Sequence, residues 1–184
     1  MKIPDSAERV FEGKTFDVYQ WEQEMFDGST KIFEKLKRNH SVDIVAVSED
    51  GDICIIEEEQ PGRAPFLGLV WWSCEDGEEP VETAKRELLE ETGLVSEDWQ
   101  LFKSHTPSSR IDYMSHMFIA RNCKKIRDQH LDPGGEKIKI RTVKWDEFLD
   151  IVADPKFRVQ EFAVEVLRYV YLWREGELKS KILQ

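Results

Sequence analysis

The chain has 184 residues, of which 40% are hydrophobic, and its formal net charge is −11. This composition predicts one folded domain with a sizeable core and excludes an intrinsically disordered chain. The acidic excess argues against a nucleic-acid partner, because binding to a phosphate backbone depends on Lys and Arg. It still permits a small anionic ligand, since divalent cations held by clustered acids reverse the local field.

Nothing in the sequence indicates export or membrane insertion. No apolar run approaches the roughly 18 residues that span a membrane. The N-terminal stretch MKIPDSAERVFEG carries acids and a proline where a signal peptide needs an apolar segment. Cys54, Cys74 and Cys123 are far apart and odd in number, which fits neither a disulfide framework nor a zinc site. We therefore expect a cytoplasmic protein with no membrane partner.

Turn signals divide the first part of the chain into predicted strands. Asp27-Gly28 joins the first two strands as an antiparallel hairpin, and a turn at 49–52 joins the next two at the centre of a sheet. A loop at 60–65 precedes a further strand. The predicted strands, rich in aromatic and β-branched residues, are 15–26, 30–38, 42–48, 53–59 and 66–72.

A helix is predicted over residues 80–92. Pro80 suits its first turn and Gly93 suits the position just past its end. Two more strands follow at 114–123 and 138–145, separated by a turn-rich segment, and the spacing is helical again from Trp145 onward.

The last of these helices is predicted as one long amphipathic helix over 159–178, which ends near Gly176. Strands joined by hairpins and mixed with helices favour a layered α/β or α+β domain over a doubly wound sheet.

The helix at 80–92 carries the residues most suited to chemistry. Glu87 and Glu91 are one turn apart with Glu90 beside them, so the three carboxylates lie within about 100° of arc. Arg86 offsets only part of their repulsion, whereas a hard cation such as Mg²⁺ or Mn²⁺ takes several oxygen ligands. The alternative interpretation is a solvated acidic face with no ligand.

The flanking residues complete a longer pattern. The stretch Glu78-x7-Arg86-Glu87-Leu88-x-Glu90-Glu91-x-Gly93-Leu94 resembles the Nudix box, G-x5-E-x7-R-E-U-x-E-E-x-G-U with U aliphatic, at eight of nine specified positions. The stretches EEEQPGRAPF and LDPGGEKIKIRTVKWDEFLDIV resemble a strand end and late region of ADP-ribose pyrophosphatases. The resemblance covers most of the chain, although it is loose outside the box.

The resemblance implies a fold and an activity. It implies an α/β/α sandwich with a mixed central sheet over residues 41–184. A small antiparallel strand extension at 1–40 would be a possible dimerisation element. The expected activity is metal-dependent hydrolysis of a nucleoside diphosphate linked to another moiety. ADP-ribose or a nucleotide sugar would give a nucleoside monophosphate and a sugar phosphate. The expected partners are a small nucleotide and a second copy of the chain.

The resemblance also assigns roles by position. Glu87 and Glu91 would be the main metal ligands, and Arg86 would hold the helix carboxylates in place. Glu136 is the candidate general base, with a plain turn glutamate as the alternative. Arg63 would contact a phosphate, unless it is an exposed loop arginine without a ligand. The further metal ligands would be Glu90, Glu78 and the backbone carbonyl of Trp71.

One position departs from the box, because Trp72 stands where its first glycine belongs and Trp71 precedes it. Glycine reaches left-handed backbone conformations cheaply, and tryptophan does not. The two indoles stack on substrate, fill a gap in the core, or obstruct the site. Obstruction would leave a catalytically impaired nucleotide-binding or regulatory module. A nucleoside triphosphate pyrophosphohydrolase is a further alternative.

Overall fold

The computed structural model describes residues 2–131 and 135–184. These residues form twelve strands and four helices. In chain order the elements are β1 (Glu8–Phe11), β2 (Asp17–Glu24), β3 (Thr30–Lys37), β4 (Ser41–Ser48), β5 (Ile53–Glu59), β6 (Phe66–Gly68), β7 (Val70–Ser73), α1 (Pro80–Thr92), β8 (Leu94–Val95), β9 (Asp98–His105), β10 (Ile111–Asp112), β11 (Ser115–Lys125), β12 (Lys137–Val143), α2 (Trp145–Ala153), α3 (Gln160–Tyr171) and α4 (Glu175–Leu183). Within the described ranges, no helix is both long and apolar enough to cross a membrane.

An eight-stranded mixed sheet forms the middle layer. Its main path runs β12-β5-β4-β11-β8, with β6, β7 and β9 paired at its sides. The pair β4–β11 is parallel, and the other pairs are antiparallel. Ala84 and Leu88 of α1 belong to the core on one face of the sheet, and Phe148 and Phe162 of the later helices belong to the core on the other face. The predicted α/β/α sandwich is therefore confirmed.

The N-terminal strands form a separate four-stranded sheet, ordered β1-β2-β3-β10. The hairpin predicted around Asp27-Gly28 is confirmed, since β2 and β3 pair along their whole length from Asp17↔Lys37 to Glu24↔Thr30. The strand β10 joins this sheet from the later part of the chain and pairs with β3 in parallel. The boundary at residue 40 between the N-terminal extension and the following domain stays a prediction.

The hairpin predicted between β4 and β5 is confined to its turn. Only Val47 and Ile53 pair across it, and beyond them β4 pairs with β7 while β5 pairs with β6. The single strand predicted at 66–72 is therefore wrong. At the fully buried Leu69 the chain stops pairing with β5 and begins to pair with β4, which divides that run into β6 and β7.

The single helix predicted at 159–178 is also wrong, because the structure has α3 and α4 there. Trp173 lies between them with a positive φ of 57°, which interrupts the helix. Gly176 lies inside α4 rather than past a helix end. The break lets α4 fold back so that Leu178 and Ile182 are fully buried in the core beside the later helices.

The end of α1 generates a stability prediction. Gly93 has a φ of 74°, and a Cβ there would lie 2.0 Å from the backbone oxygen of Arg127. We expect Gly93→Ala to lower the free energy of unfolding by about 2 kcal/mol or more, because left-handed strain and a backbone clash add together. Urea unfolding followed by circular dichroism measures the change.

Gly51→Ala is the matched control. Gly51 has a similar φ of 76°, but nothing lies within 4 Å of the place that an alanine Cβ would occupy there. We expect only the conformational cost, about 1 kcal/mol. Equal losses for the two variants would contradict the proposed clash at Gly93.

Candidate active site

Helix α1 carries an acidic stripe beside its apolar face. Pro80 begins the helix, and Gly93 closes it by donating its backbone N–H to the carbonyl of Leu89 at 2.9 Å. Glu87 and Glu91 are buried, with 4% and 3% of their surface exposed. The helix geometry thus places two carboxylates, one turn apart, at the edge of the packed interface with the sheet.

Arg86 gathers three of the predicted acids. Its Nε and Nη2 donate to the two carboxylate oxygens of Glu78 at 3.2 and 3.1 Å. Its Nη1 donates to Glu87 and, at 3.4 Å, to Glu90. The guanidinium holds the pKa of Glu78 at about 2, well below its usual range. Burial raises the pKa of Glu87 to about 7, although Arg86 opposes that shift.

Glu91 is the acid of this cluster whose ionised form is most disfavoured by burial. Burial raises its pKa to about 9, and the negative charges of Glu136, Glu87 and Glu58 add to the shift. Its Oε2 is buried and has no hydrogen-bond partner among the described residues. The side chain therefore has an unused acceptor in a place where a negative charge is costly.

Glu58 is a buried acid of this cluster that the sequence did not single out. It is 1% exposed, accepts a hydrogen bond from Gln60, and accepts another from Nε1 of Trp71 at 3.1 Å. Strand alternation from Cys54 through Ile56 places Glu58 on the face towards α1, and that signal was available in the sequence.

The segment after β11 is tied to the end of α1. Gln129 donates its side-chain amide to the backbone carbonyls of Glu91 at 2.6 Å and of Ile138 at 3.3 Å. Residues 132–134 of the predicted turn-rich loop lie outside the described residues. Glu136 and Arg63 line one cavity of about 470 Å³, so these two predicted residues come together.

The two tryptophans lie in β7 with ordinary strand pairing. Trp71 pairs with Asp43 and Trp72 pairs with Val42 on β4. Trp72 has no left-handed backbone, since the positive φ values among described non-glycine residues belong to Asn122 and Trp173. Both indoles are partly exposed, and their ring centroids are 6.0 Å apart. Trp71 packs against the core on the α1 side.

The donor set fits a hard divalent cation. Carboxylate oxygens are the ligands that Mg²⁺ and Mn²⁺ prefer, and the unpaired oxygen of Glu91 needs a positive partner. As the described side chains stand, no three acidic, His or Cys groups converge closely enough to hold a cation. The carboxylate of Glu87 is already paired with the guanidinium of Arg86, and a bound cation would compete with that guanidinium.

Known proteins resemble this chain along most of its length. It is 26% identical over 149 residues to the ADP-ribose pyrophosphatase of Bacillus subtilis (strain 168), covering 80% of each chain. It is 26% identical to the ADP compounds hydrolase NudE of Escherichia coli (strain K12), covering 94% of this chain and 92% of that one. It is 24% identical to the methanol dehydrogenase activator of Bacillus methanolicus, covering 95% and 94%.

The fold has a solved counterpart. The crystal structure of an ADP compounds hydrolase superposes with a TM-score of 0.73 at 23% identity, covering 94% of both chains. The model of the NUDIX domain family matches residues 37–169, which is well over half of the chain and includes the whole acidic cluster. The protein therefore belongs to the NUDIX domain family.

Proposed function

We propose that the protein is a metal-dependent Nudix pyrophosphatase that hydrolyses a nucleoside diphosphate linked to another moiety. ADP-ribose or a nucleotide sugar is the proposed substrate, and a nucleoside monophosphate and a sugar phosphate are the products. The observation that carries the proposal is the buried, partly unpaired carboxylate of Glu91 within the acid cluster of the box. Two relatives named as an ADP-ribose pyrophosphatase and an ADP compounds hydrolase support the substrate class.

Glu87 and Glu91 are the proposed main ligands of Mg²⁺ or Mn²⁺. Glu90, Glu78 and the backbone carbonyl of Trp71 are the proposed additional ligands. When bound, such a cation neutralises phosphate oxygens and lowers the pKa of coordinated water. Arg86 has a positioning role, because its hydrogen bonds fix the carboxylates of Glu78 and Glu90 relative to the helix.

Glu136 is the proposed general base, and Arg63 is the proposed phosphate contact. Their shared cavity supports both roles, since Gln60 also lines it and donates a hydrogen bond to Glu58 of the acid cluster. Glu136 would take the proton of the attacking water, and the Arg63 guanidinium would bind a phosphate oxygen of the substrate. Trp71 and Trp72 are proposed substrate contacts, with the indole of Trp72 as the more open of the two because Arg158 covers one face of Trp71.

A substrate panel tests the proposal. We expect the pure protein with Mg²⁺ to release a nucleoside monophosphate from ADP-ribose or a nucleotide sugar. Glu91→Gln should lower the turnover at least about a hundredfold, because the neutral amide binds a hard cation poorly. Chromatography of the products, with dinucleotides and nucleoside triphosphates as further panel members, measures it. Equal turnover by the two proteins would remove Glu91 from the proposed site.

Melting temperatures of the same variant provide a second readout. The folded pKa of Glu91 is about 9, against a reference value of 4.5, so between these values the folded state binds more protons than the unfolded state. Stability from this group therefore falls as the pH rises from 4.5 towards 9. In EDTA at pH 8 we expect Glu91→Gln to melt at a higher temperature than the parent. A lower melting temperature would contradict the inferred repulsion.

Trp72→Gly tests the departure from the box. Because Trp72 lies in a regular strand, we expect the glycine to lower the melting temperature and not to raise the turnover. Melting temperature and turnover are measured on the same preparation. A clear rise in turnover would instead favour obstruction by the indole, and with it an impaired binding module as the parent state.

We also propose that the protein is a homodimer and that it is located in the cytoplasm. Exposed apolar side chains on the N-terminal sheet support the dimer, among them Phe11 and Ile32, which are 58% and 63% exposed. We expect Ile32→Lys to shift the parent dimer to a monomer, as measured by light scattering after gel filtration. Ile126→Lys is the control, since Ile126 is 62% exposed but lies outside this sheet. A monomeric parent protein would refute the dimer.

A further inference from the structure

A cavity of about 280 Å³ lies where three parts of the fold meet. Arg38 follows the last strand of the N-terminal hairpin, Trp71 and Ser115 belong to the larger sheet, and Arg158 precedes α3. None of the roles proposed above uses Arg38 or Arg158. The cavity therefore raises a separate question, which concerns what two arginines do at the junction of these parts.

Arg158 is held firmly at one wall. Its backbone N–H donates to the carbonyl of Leu67 at 2.8 Å, and Leu67 donates to the carbonyl of Lys156 at 3.2 Å. Its guanidinium carbon lies 3.4 Å from the ring centroid of Trp71. Its Nη1 is buried and has no hydrogen-bond partner among the described residues. The side chain is thus fixed in place with one donor unused.

Arg38 is held in a similar way at another wall. Its Nη2 donates to the hydroxyl of Ser73 at 2.7 Å, and its guanidinium carbon lies 4.9 Å from the ring centroid of Tyr113. Its Nε is buried and has no partner among the described residues. Buried donors without acceptors are uncommon, because each carries a desolvation cost of about 1–3 kcal/mol.

The acids of the cavity wall do not supply the missing acceptors. Asp43 accepts a hydrogen bond from Ser115 at 3.0 Å, and Glu161 is bonded to His105. Within residues 2–131 and 135–184, Nε of Arg38 and Nη1 of Arg158 therefore have no acceptor. Burial is the main cause that lowers the pKa of Arg158; the charges of Glu58 and Asp43 oppose that shift, and those of Arg63 and Arg38 add to it. An anion between the two guanidinium groups would supply acceptors for Nε of Arg38 and Nη1 of Arg158.

We propose that this cavity binds the phosphate group of a small molecule between Arg38 and Arg158. A guanidinium matches phosphate oxygens with paired N–H donors, and the aromatic rings of Trp71 and Tyr113 already hold both guanidinium groups in position. The unused donors of both arginines gain acceptors when the phosphate binds. Trp71 also donates to Glu58, so the same indole contacts the anion site and the acid cluster.

The phosphate has two possible sources, and they share this chemistry. It is either a further phosphate of the substrate, beyond the pyrophosphate that is cleaved, or the phosphate of a separate effector molecule. The first source rests on the proposed function, whereas the second does not. Binding is therefore measured without a divalent cation. The acid cluster then repels anions, so the measured binding reports the cavity and not the proposed hydrolytic site.

The test titrates the full chain in EDTA with inorganic phosphate and with ribose 5-phosphate. Calorimetry and tryptophan fluorescence report binding, and acetate is the non-phosphate comparison. We expect the parent protein to bind phosphate and Arg158→Gln to weaken binding about tenfold or more. Arg158→Lys keeps the charge and loses the fork, so it should also weaken binding. Arg141→Gln, which alters an exposed arginine bonded to Glu147, should bind like the parent.

Melting curves establish that each variant is folded before binding is compared. Absence of phosphate binding to the parent protein, or unchanged binding to both folded Arg158 variants, would overturn the proposal. Binding of acetate as tight as that of phosphate would overturn it too. Phosphate binding by a parent protein that shows no hydrolysis would keep this proposal and remove the proposed function.

Kinetics with Mg²⁺ then identify the source. A KM that rises in Arg158→Gln only for a substrate with an additional phosphate, such as ADP-ribose with a 2′-phosphate, assigns the cavity to the substrate. A kcat that responds to added ribose 5-phosphate in the parent, and not in Arg158→Gln, assigns it to an effector. Either result supports a phosphate site at this place.

Discussion

Repulsion among partly buried carboxylates is the constraint on which the arrangement of this protein depends. Each negative charge in such a place needs a guanidinium, an N–H donor, a proton or a cation beside it. Arg86 donates hydrogen bonds to the acids of the box, beginning with Glu78, and the indole N–H of Trp71 donates to Glu58. Glu91 has an unpaired oxygen and a pKa raised to about 9. These partners come together where α1, β5 and β7 share one apolar cluster.

Local signals predicted the parts of the fold that depend on local chemistry. Pro80, Gly93 and the spacing between them defined α1 to the residue, and Asp27-Gly28 defined a hairpin. The crossing at Leu69 and the helix break at Trp173 were missed, because both depend on where distant strands and helices pack. A continuous pattern of apolar residues does not say that the chain changes direction within it.

The residues of the site likewise divide into those set by local sequence and those set by tertiary packing. The box acids lie on one helix and its preceding loop, so their spacing alone brings them together. Glu58 stands in a run of three glutamates, and the alternation of β5 marks it as the buried one, a signal that the box pattern does not include. Arg158 lies in a connection with no motif, and Trp71 meets it only through tertiary packing. In place of the box glycine, Trp72 continues a strand, a backbone conformation that tryptophan adopts without strain.

The guanidinium of Arg86 has a consequence for how the chain folds. Some metalloproteins fold only when their metal is present, because metal binding supplies the free energy of folding. Here an internal cation already bridges Glu78, Glu87 and Glu90. These three carboxylates therefore have a positive partner within the chain itself, and their mutual repulsion is offset before any metal binds.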